Sequence, residues 1–379
     1  MAATAVELSR ISTAWRRADP LPLALATLVE VEGSSYRRPG AKLLIHADGS
    51  TVGNLTGGCL DQEIVEAAQT THQTGTAQVV GYDLRGEDEA ILGWGMGCNG
   101  VLRVLVEPAG PENSMLQVLE AAVRLRRPVR ILTVISGPPG TIGHRWWQVD
   151  GDEPGSTIAV PVPAPVPVPV PPSIHAVLAD RTDGVVTVAD GSTELRVFAE
   201  SLLPTPRLVV CGAGDDVPPV IRAATALGWE AVVVDHRRHL LDPDRFPAGT
   251  RLLRADPAQD PGLDIDGFSC VVVMTHNFLQ DCAYLAAALK TPARYVGVLG
   301  PERRLQRMRD FLAADGIHPT ASDEARLRGP AGLDLGGQGP DEIAVEIIAE
   351  VLAATRRPTA NQTTGARVPR RTPSTAYAS

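Results

Sequence analysis

The sequence predicts an α/β protein: an N-terminal α+β domain with glycine-rich cysteine loops, then a Rossmann-like domain on a parallel sheet. Three observations predict it. Residues 161–172 alternate proline with valine and alanine, a composition that takes an extended polyproline conformation and divides the chain. Before that divide, short β-branched runs surround two glycine-rich turns, each holding a cysteine. After it, apolar strands alternate with helices. The first strand runs into Gly212-Ala213-Gly214, and the second ends on Asp235, about 20 residues later, as in a βαβ dinucleotide unit.

Composition bounds the function. The chain has 379 residues, 44% hydrophobic and 21% charged, enough for two cored domains. Its net charge of −9 argues against nucleic-acid binding, which needs a basic surface. No run of about 18 apolar residues exists to span a membrane. The N-terminus carries Glu7 and lacks an apolar signal core, which points to a cytoplasmic protein. The five cysteines, at 59, 98, 211, 270 and 282, are odd in number and lack framework spacing, as for reduced thiols.

The first domain is expected over residues 1–150. A helix at 6–17 precedes strands at 23–31 and 41–46, and Asp48-Gly49 turns the chain into 51–56. The helix after Cys59 reaches about residue 73, where Gly75 stops it. Strands at 77–84 and 101–107 flank the second cysteine turn. A helix at 112–127 and strands at 129–135 and 145–149 follow. Residues 151–172 form a linker, and 173–205 supply short strands that complete the first domain's sheet.

The Rossmann-like domain is expected over 206–357. Pro218 and Pro219 sit where a helix's first turn tolerates them. Further strands fall at 250–254, 270–275 and 294–299, with helices at 279–289 and 303–314. A last helix begins at Pro340, and Ile343, Ile347 and Val351 recur at one-turn spacing as its buried face. The Gly336-Gly337 loop ahead of it reads as a helix-entry turn or a ligand approach. Residues 358–379, rich in Thr, Pro, Arg and Ala, are expected to be disordered.

The chemistry concentrates in a few places. In Gly57-Gly58-Cys59-Leu60-Asp61, the glycines expose backbone N–H groups just before an amphipathic helix, where an anion or thiolate is stabilised. A tight turn with a buried thiol is the plain alternative. The turn Gly97-Cys98-Asn99-Gly100 has the same character, and Arg37, Arg38 and Lys42 lie close in sequence to the first. In the second domain Gly212, Gly214 and Asp235 are the nucleotide-type residues, although Val217 stands where a third glycine belongs. His276 falls at the carboxyl end of a parallel strand, either at a ligand or as a polar cap. Cys211, Cys270, Cys282 and Tyr284 read as core, and Gly137–His144 as a turn that lacks a phosphate-loop lysine.

Several motifs carry a family resemblance in a single order. Gly33-Ser-Ser-Tyr-Arg-Arg-Pro-Gly-Ala-Lys, Thr56-Gly-Gly-Cys-Leu-Asp, Gly97-Cys-Asn-Gly, Gly212-Ala-Gly, Val234-Asp-His-Arg, Met274-Thr-His, Tyr295-Val-Gly-Val-Leu-Gly and the Pro330 to Ala344 stretch resemble the xanthine dehydrogenase accessory factor family (XdhC/CoxI). The resemblance spans about residues 10–355, apart from the proline linker. Tyr36 stands where the family often has proline, and Asp61 where it often has glutamate.

The resemblance implies an accessory protein, more a cofactor carrier than an enzyme. It would bind the molybdenum cofactor, molybdopterin, assist its sulfuration and protection, and deliver it to a molybdenum hydroxylase such as xanthine or carbon monoxide dehydrogenase. Gly57, Gly58, Arg37, Arg38 and Lys42 would then meet the cofactor's phosphate, and Cys59 or Cys98 its molybdenum. A cysteine desulfurase and a second copy of the chain are further expected partners. The alternative is an NAD(P)-dependent oxidoreductase using Gly212, Gly214, Asp235 and His276, for which no acid–base pair is evident. A redox switch through a Cys59–Cys98 disulfide is a third reading.

Overall fold

In the computed structural model, the structure describes residues 4–58, 60–85, 100–150, 172–180, 182–190, 193–255 and 264–356. Most of the expected linker, 151–171, and the expected disordered tail, 358–379, lie outside the described residues. The contacts divide into two units, Met1–Thr205 and Pro206–Ser379.

The first unit opens with α1 (Ala5–Arg17), whose end is sealed by a capping box. The Glu7 amide donates to Thr4 Oγ1, and the Thr4 amide donates to the Glu7 carboxylate. There follow β1 (Ala24–Gly33), β2 (Lys42–Ile45), β3 (Thr51–Gly53), α2 (Asp61–Thr74), β4 (Gln78–Asp83) and β5 (Gly100–Pro108). The strands form one antiparallel sheet in the order β3-β2-β1-β5-β4. As expected, α2 ends on Gly75, which takes the left-handed conformation at φ 65°.

Next come α3 (Ser114–Leu125), β6 (Val129–Ser136), β7 (Arg145–Val149), α4 (Pro172–Ala179), β8 (Gly184–Asp190) and β9 (Thr193–Leu202). The last strands do not extend the first sheet. β9 pairs with β6, giving a second antiparallel sheet, β7-β6-β9-β8. Alternating apolar residues specify a strand and its buried face, but not which edge it joins. The sequence places residue 172 in the linker, whereas α4 starts there, a proline at its first position. Ile174 and Leu178 bury against Leu132, Val134 and Val197 of the second sheet. The Gly137–His144 stretch is a turn, with the Thr141 amide donating to the Pro138 carbonyl at 3.1 Å.

Two buried ion pairs tie the sheets together. Lys42 Nζ on β2 donates to both Glu200 carboxylate oxygens on β9, at 2.8 and 3.0 Å. Arg145 on β7 holds Glu107 on β5 at 2.6 and 2.8 Å, and also donates to Ser114 Oγ. All four side chains are almost wholly out of solvent.

The second unit contains β10 (Arg207–Cys211), α5 (Val217–Ala226), β11 (Glu230–Asp235), β12 (Arg251–Arg254), β13 (Ser269–Val273), α6 (Phe278–Leu289), β14 (Tyr295–Val298), α7 (Glu302–Ala314), α8 (Ala321–Arg326), β15 (Leu327–Arg328) and α9 (Pro340–Arg356). Its six parallel strands run β12-β11-β10-β13-β14-β15, the doubly wound order, which reverses between β10 and β13. β10, β13 and β14 are buried along their whole length, as a sheet covered on both faces requires.

Cys211 and Cys270 lie inside these strands and Cys282 inside α6. Burial pushes the Cys270 thiol up to about 12 and that of Cys282 to about 11, so both stay protonated. Tyr284 is buried as well. On α9 the buried residues are Ala344, Ile347, Ile348 and Val351, and Ile343 is only half-buried. Ile347 and Val351 are thus buried as expected, and Ala344 and Ile348 rather than Ile343 complete the packed face.

The Lys42–Glu200 pair gives the fold its test. Lys42→Met leaves the Glu200 carboxylate buried and unpaired, and should cost about 3–5 kcal/mol in denaturant titration. Lys42→Met combined with Glu200→Leu should recover most of that loss. A single variant as stable as the parent would show that the pair does not hold the sheets together.

Candidate functional site

Strand direction brings the described flanks of the second cysteine turn to one end of the N-terminal unit's first sheet. β1 runs toward Gly33, β5 starts at Gly100, and these two glycines are register partners. A side chain at Gly100 would place its Cβ 2.4 Å from the Glu32 carbonyl oxygen and 2.9 Å from that of Ser34. Only glycine fits. The Leu84 amide donates to the Gly100 carbonyl at 2.9 Å, so both flanks of the second cysteine turn close at this strand end.

β3 ends at Gly53, and the chain turns through 54–60 into α2. Gly57 and Gly58 both take positive φ, 78° and 106°, which glycine adopts without strain. The Gly57 amide donates to Asn54 Oδ1 at 2.9 Å. The Tyr36 ring lies over Gly57, where an added Cβ would come within 3.2 Å of it. The Gly33–Tyr36 segment thus touches the described flanks of both turns. Cys59 and Cys98 themselves lie outside the described residues.

The three basic residues expected here separate. Arg38 is exposed and has no ion-pair partner among the described residues. Arg37 is neutralised by Glu7 of α1, with Nη2 2.9 Å from Oε1. Lys42 does not reach the loop surface, because its Nζ is consumed by Glu200 inside the unit. A strand reading Lys-Leu-Leu-Ile gives no sign of that partner, which lies 158 residues away.

In the second unit the glycine turn stands at the switch point. Gly212 has φ 121°, and its Cβ would collide with the Met274 carbonyl oxygen at 2.5 Å, so β10 and β13 approach through bare backbone. Asp235, one of the three nucleotide-type residues, is committed to its own turn. Its Oδ2 accepts from the Ala213 amide at 2.8 Å and from Arg237 Nη2 at 2.8 Å, while Oδ1 accepts from the Arg237 amide and Nε. Burial alone would raise this carboxyl, but the Arg237 hydrogen bonds and charge with the Ala213 N–H outweigh it and hold it below the usual carboxylate range. Arg245 donates to the carbonyls of Ala213 and Gly214, clasping the turn from outside.

His276 takes φ 61°, rare for a residue with a side chain, and its Nε2 lies 2.8 Å from Asp216 Oδ2 beside Gly214. The flanking residues hold it there. Asp281, 1% exposed, accepts from the Thr275 amide and hydroxyl and from Arg304, while Asn277 caps α6. Asp216, Asp281 and Arg304 escaped the sequence reading. The Thr-His-Asn run before an apolar helix was the available signal, being a capping pattern. The Gly336-Gly337 loop is a helix-entry turn: Gly337 and Gln338 amides donate to Glu346 and Glu342 of α9. Among the described residues no three His, Cys, Asp or Glu side chains are grouped to hold a metal.

Comparison with known proteins agrees with this architecture. Residues 208–351 match the XdhC Rossmann domain, and residues 16–83 match the XdhC and CoxI family. A crystal structure from Bacillus halodurans, described as a xanthine dehydrogenase, is similar with a TM-score of 0.73 and 30% identity, covering 95% of this chain and 98% of that one. The chain belongs to the XdhC and CoxI family.

Two further relatives span most of this XdhC/CoxI chain. A probable xanthine dehydrogenase subunit from Bacillus subtilis is 27% identical over 335 residues, 88% of this chain and 93% of its own length. The molybdenum cofactor insertion chaperone PaoD of Escherichia coli is 21% identical over 331 residues, 86% and 81% of the two chains. No described helix of this family member is long and apolar enough to cross a membrane.

The Asp235 clasp has a pH signature. A carboxyl whose folded value is depressed stabilises the fold above its unfolded value, and that contribution fades as pH falls through the folded one. Asp235→Asn should therefore lower the thermal midpoint of the second unit at pH 7. The gap from the parent should narrow below about pH 4. A gap independent of pH would show that the charge of Asp235 contributes nothing to the turn.

Proposed function

We propose that this XdhC/CoxI-family protein is an accessory factor that binds the molybdenum cofactor, assists its sulfuration and protection, and delivers it to a xanthine dehydrogenase-type molybdenum hydroxylase. The observation that carries this reading is the meeting of both cysteine turns' flanks on the Gly33–Tyr36 segment. The likeness to a molybdenum cofactor insertion chaperone and to a probable xanthine dehydrogenase subunit supports it.

The cofactor is cargo here, and the residues present suit it. Its phosphate needs N–H donors and a cation. Gly57 and Gly58 present left-handed backbone at a helix start, no described residue beyond its chain neighbours lies within 4 Å of a Gly58 Cβ position, and Arg38 is an exposed cation. Arg37 and Lys42 serve α1 and the inter-sheet contact instead. Cys59 and Cys98 are the proposed thiolate neighbours of the molybdenum. A cysteine desulfurase is the proposed partner that would supply sulfur for the sulfuration. The protein's own part is to hold the phosphate end and to keep water from the metal end. A homo-oligomer belongs to the same proposal. The NAD(P) reading is weaker, since both Asp235 oxygens are already taken by protein donors.

The test is retention. Protein purified without oxygen from a molybdenum-replete host should carry molybdenum and molybdopterin. Cys59→Ala and Cys98→Ala should stay folded while losing retention of the cofactor or activation of a hydroxylase. Normal activation by the double variant would reduce both residues to turn cysteines. Bound nicotinamide nucleotide in place of molybdopterin would favour the oxidoreductase.

A further inference from the structure

Tyr36 is the most exposed of the large apolar side chains among the described residues, at 66%. It makes no hydrogen bond among them, and so little of it is buried that packing does not account for its position. Yet the backbone accommodates it. Gly57 lies under one edge of the ring: an added Cβ would meet Cδ1 at 3.2 Å, Cγ at 3.4 Å and Cε1 at 3.6 Å. At φ 78° residue 57 would also be strained by any side chain. Beside this floor, no described residue other than its chain neighbours lies within 4 Å of the position a Gly58 Cβ would occupy. Two residues beyond Tyr36, Arg38 is exposed.

An exposed ring on a glycine floor, with the Gly58 backbone beside it and a cation close in sequence, suits a ligand that bears both a planar heterocycle and a phosphate. The ring supplies a π-face, which binds a planar heterocycle by stacking whatever its substituents. We propose that Tyr36 is the stacking platform for the pterin ring system of the cargo, with Gly57 setting the pose of the ring. The proposal rests on the molybdenum-cofactor reading and assigns it a residue outside the cysteine turns. Arg38 is the cation for the same ligand's phosphate. The aminopyrimidinone ring of the pterin is planar and rigid, so stacking it on a side chain held against backbone orders little that was free.

The test uses the full chain with Tyr36→Ala and Tyr36→Phe. Two quantities are read: molybdenum content after anaerobic purification, and quenching of the fluorescence of free pterin-6-carboxylate on titration. Tyr36→Ala should weaken pterin binding about tenfold or more and lower molybdenum content in parallel. Tyr36→Phe should stay close to the parent, since the ring and not the hydroxyl is needed. The thermal midpoint should not move in either variant. If the parent holds molybdenum cofactor and Tyr36→Ala holds it equally and binds pterin equally, the stacking role is overturned while the carrier reading stands. If Tyr36→Ala loses only activation of a hydroxylase, the ring is a contact for the client protein and the stacking role is likewise overturned. A parent that retains no molybdenum and does not quench pterin overturns both.

Discussion

The N-terminal unit depends on a charge that has nowhere else to go. Lys42 is fully buried on β2, and a lone ammonium in that setting would be unfavourable by several kcal/mol, roughly the effective penalty for one buried ion. Glu200 neutralises it with two hydrogen bonds, but only if β9 returns in register from beyond the proline-rich segment. The Glu107–Arg145 pair repeats the constraint at another point between the same sheets. Apolar packing would tolerate small slips of one sheet over the other, whereas two bidentate pairs do not. The rigid frame that results is what sets the glycine loops at the end of β1 and β5.

The second unit uses carboxylates differently, to close turns. Asp235 fastens Ala213 of the glycine turn to the end of β11, and Asp281 fastens Thr275 at the end of β13. Each is matched by an arginine, Arg237 or Arg304, so the buried charge is offset locally. Between these fixed points His276 is kept in a left-handed conformation that a free chain would rarely adopt. The switch point is therefore built in advance, with its acids engaged by protein donors.

Much of this was legible in the sequence, because local rules decide it. Gly75 ends α2, Pro218 and Pro219 open α5, and buried valine runs mark the parallel strands. What was not legible depends on distant partners. Nothing local in Lys-Leu-Leu-Ile announces Glu200, and the alternation in 184–202 fits either sheet equally well. Asp235 ends the second strand of a nucleotide-type βαβ unit, but whether such an acid faces a ligand or its own turn depends on Arg237 and Ala213 in space. The same limit applies to α9: Ile347 and Val351 are buried as their spacing predicts, but Ala344 and Ile348 complete that face rather than Ile343.

The described glycines of the cysteine motifs serve different purposes. Gly100 is demanded by sterics, since Glu32 and Ser34 backbone oxygens occupy the place of a side chain. Gly57 is demanded by the Tyr36 ring above it and by its own φ. Gly58 differs from both. No described residue beyond its chain neighbours comes within 4 Å of its Cβ position, and its φ of 106° is what disfavours other residues there. A glycine kept in a left-handed turn costs conformational entropy and contributes no packing. Such a position makes physical sense where bare backbone must remain open to something outside the chain, and Gly58 immediately precedes Cys59.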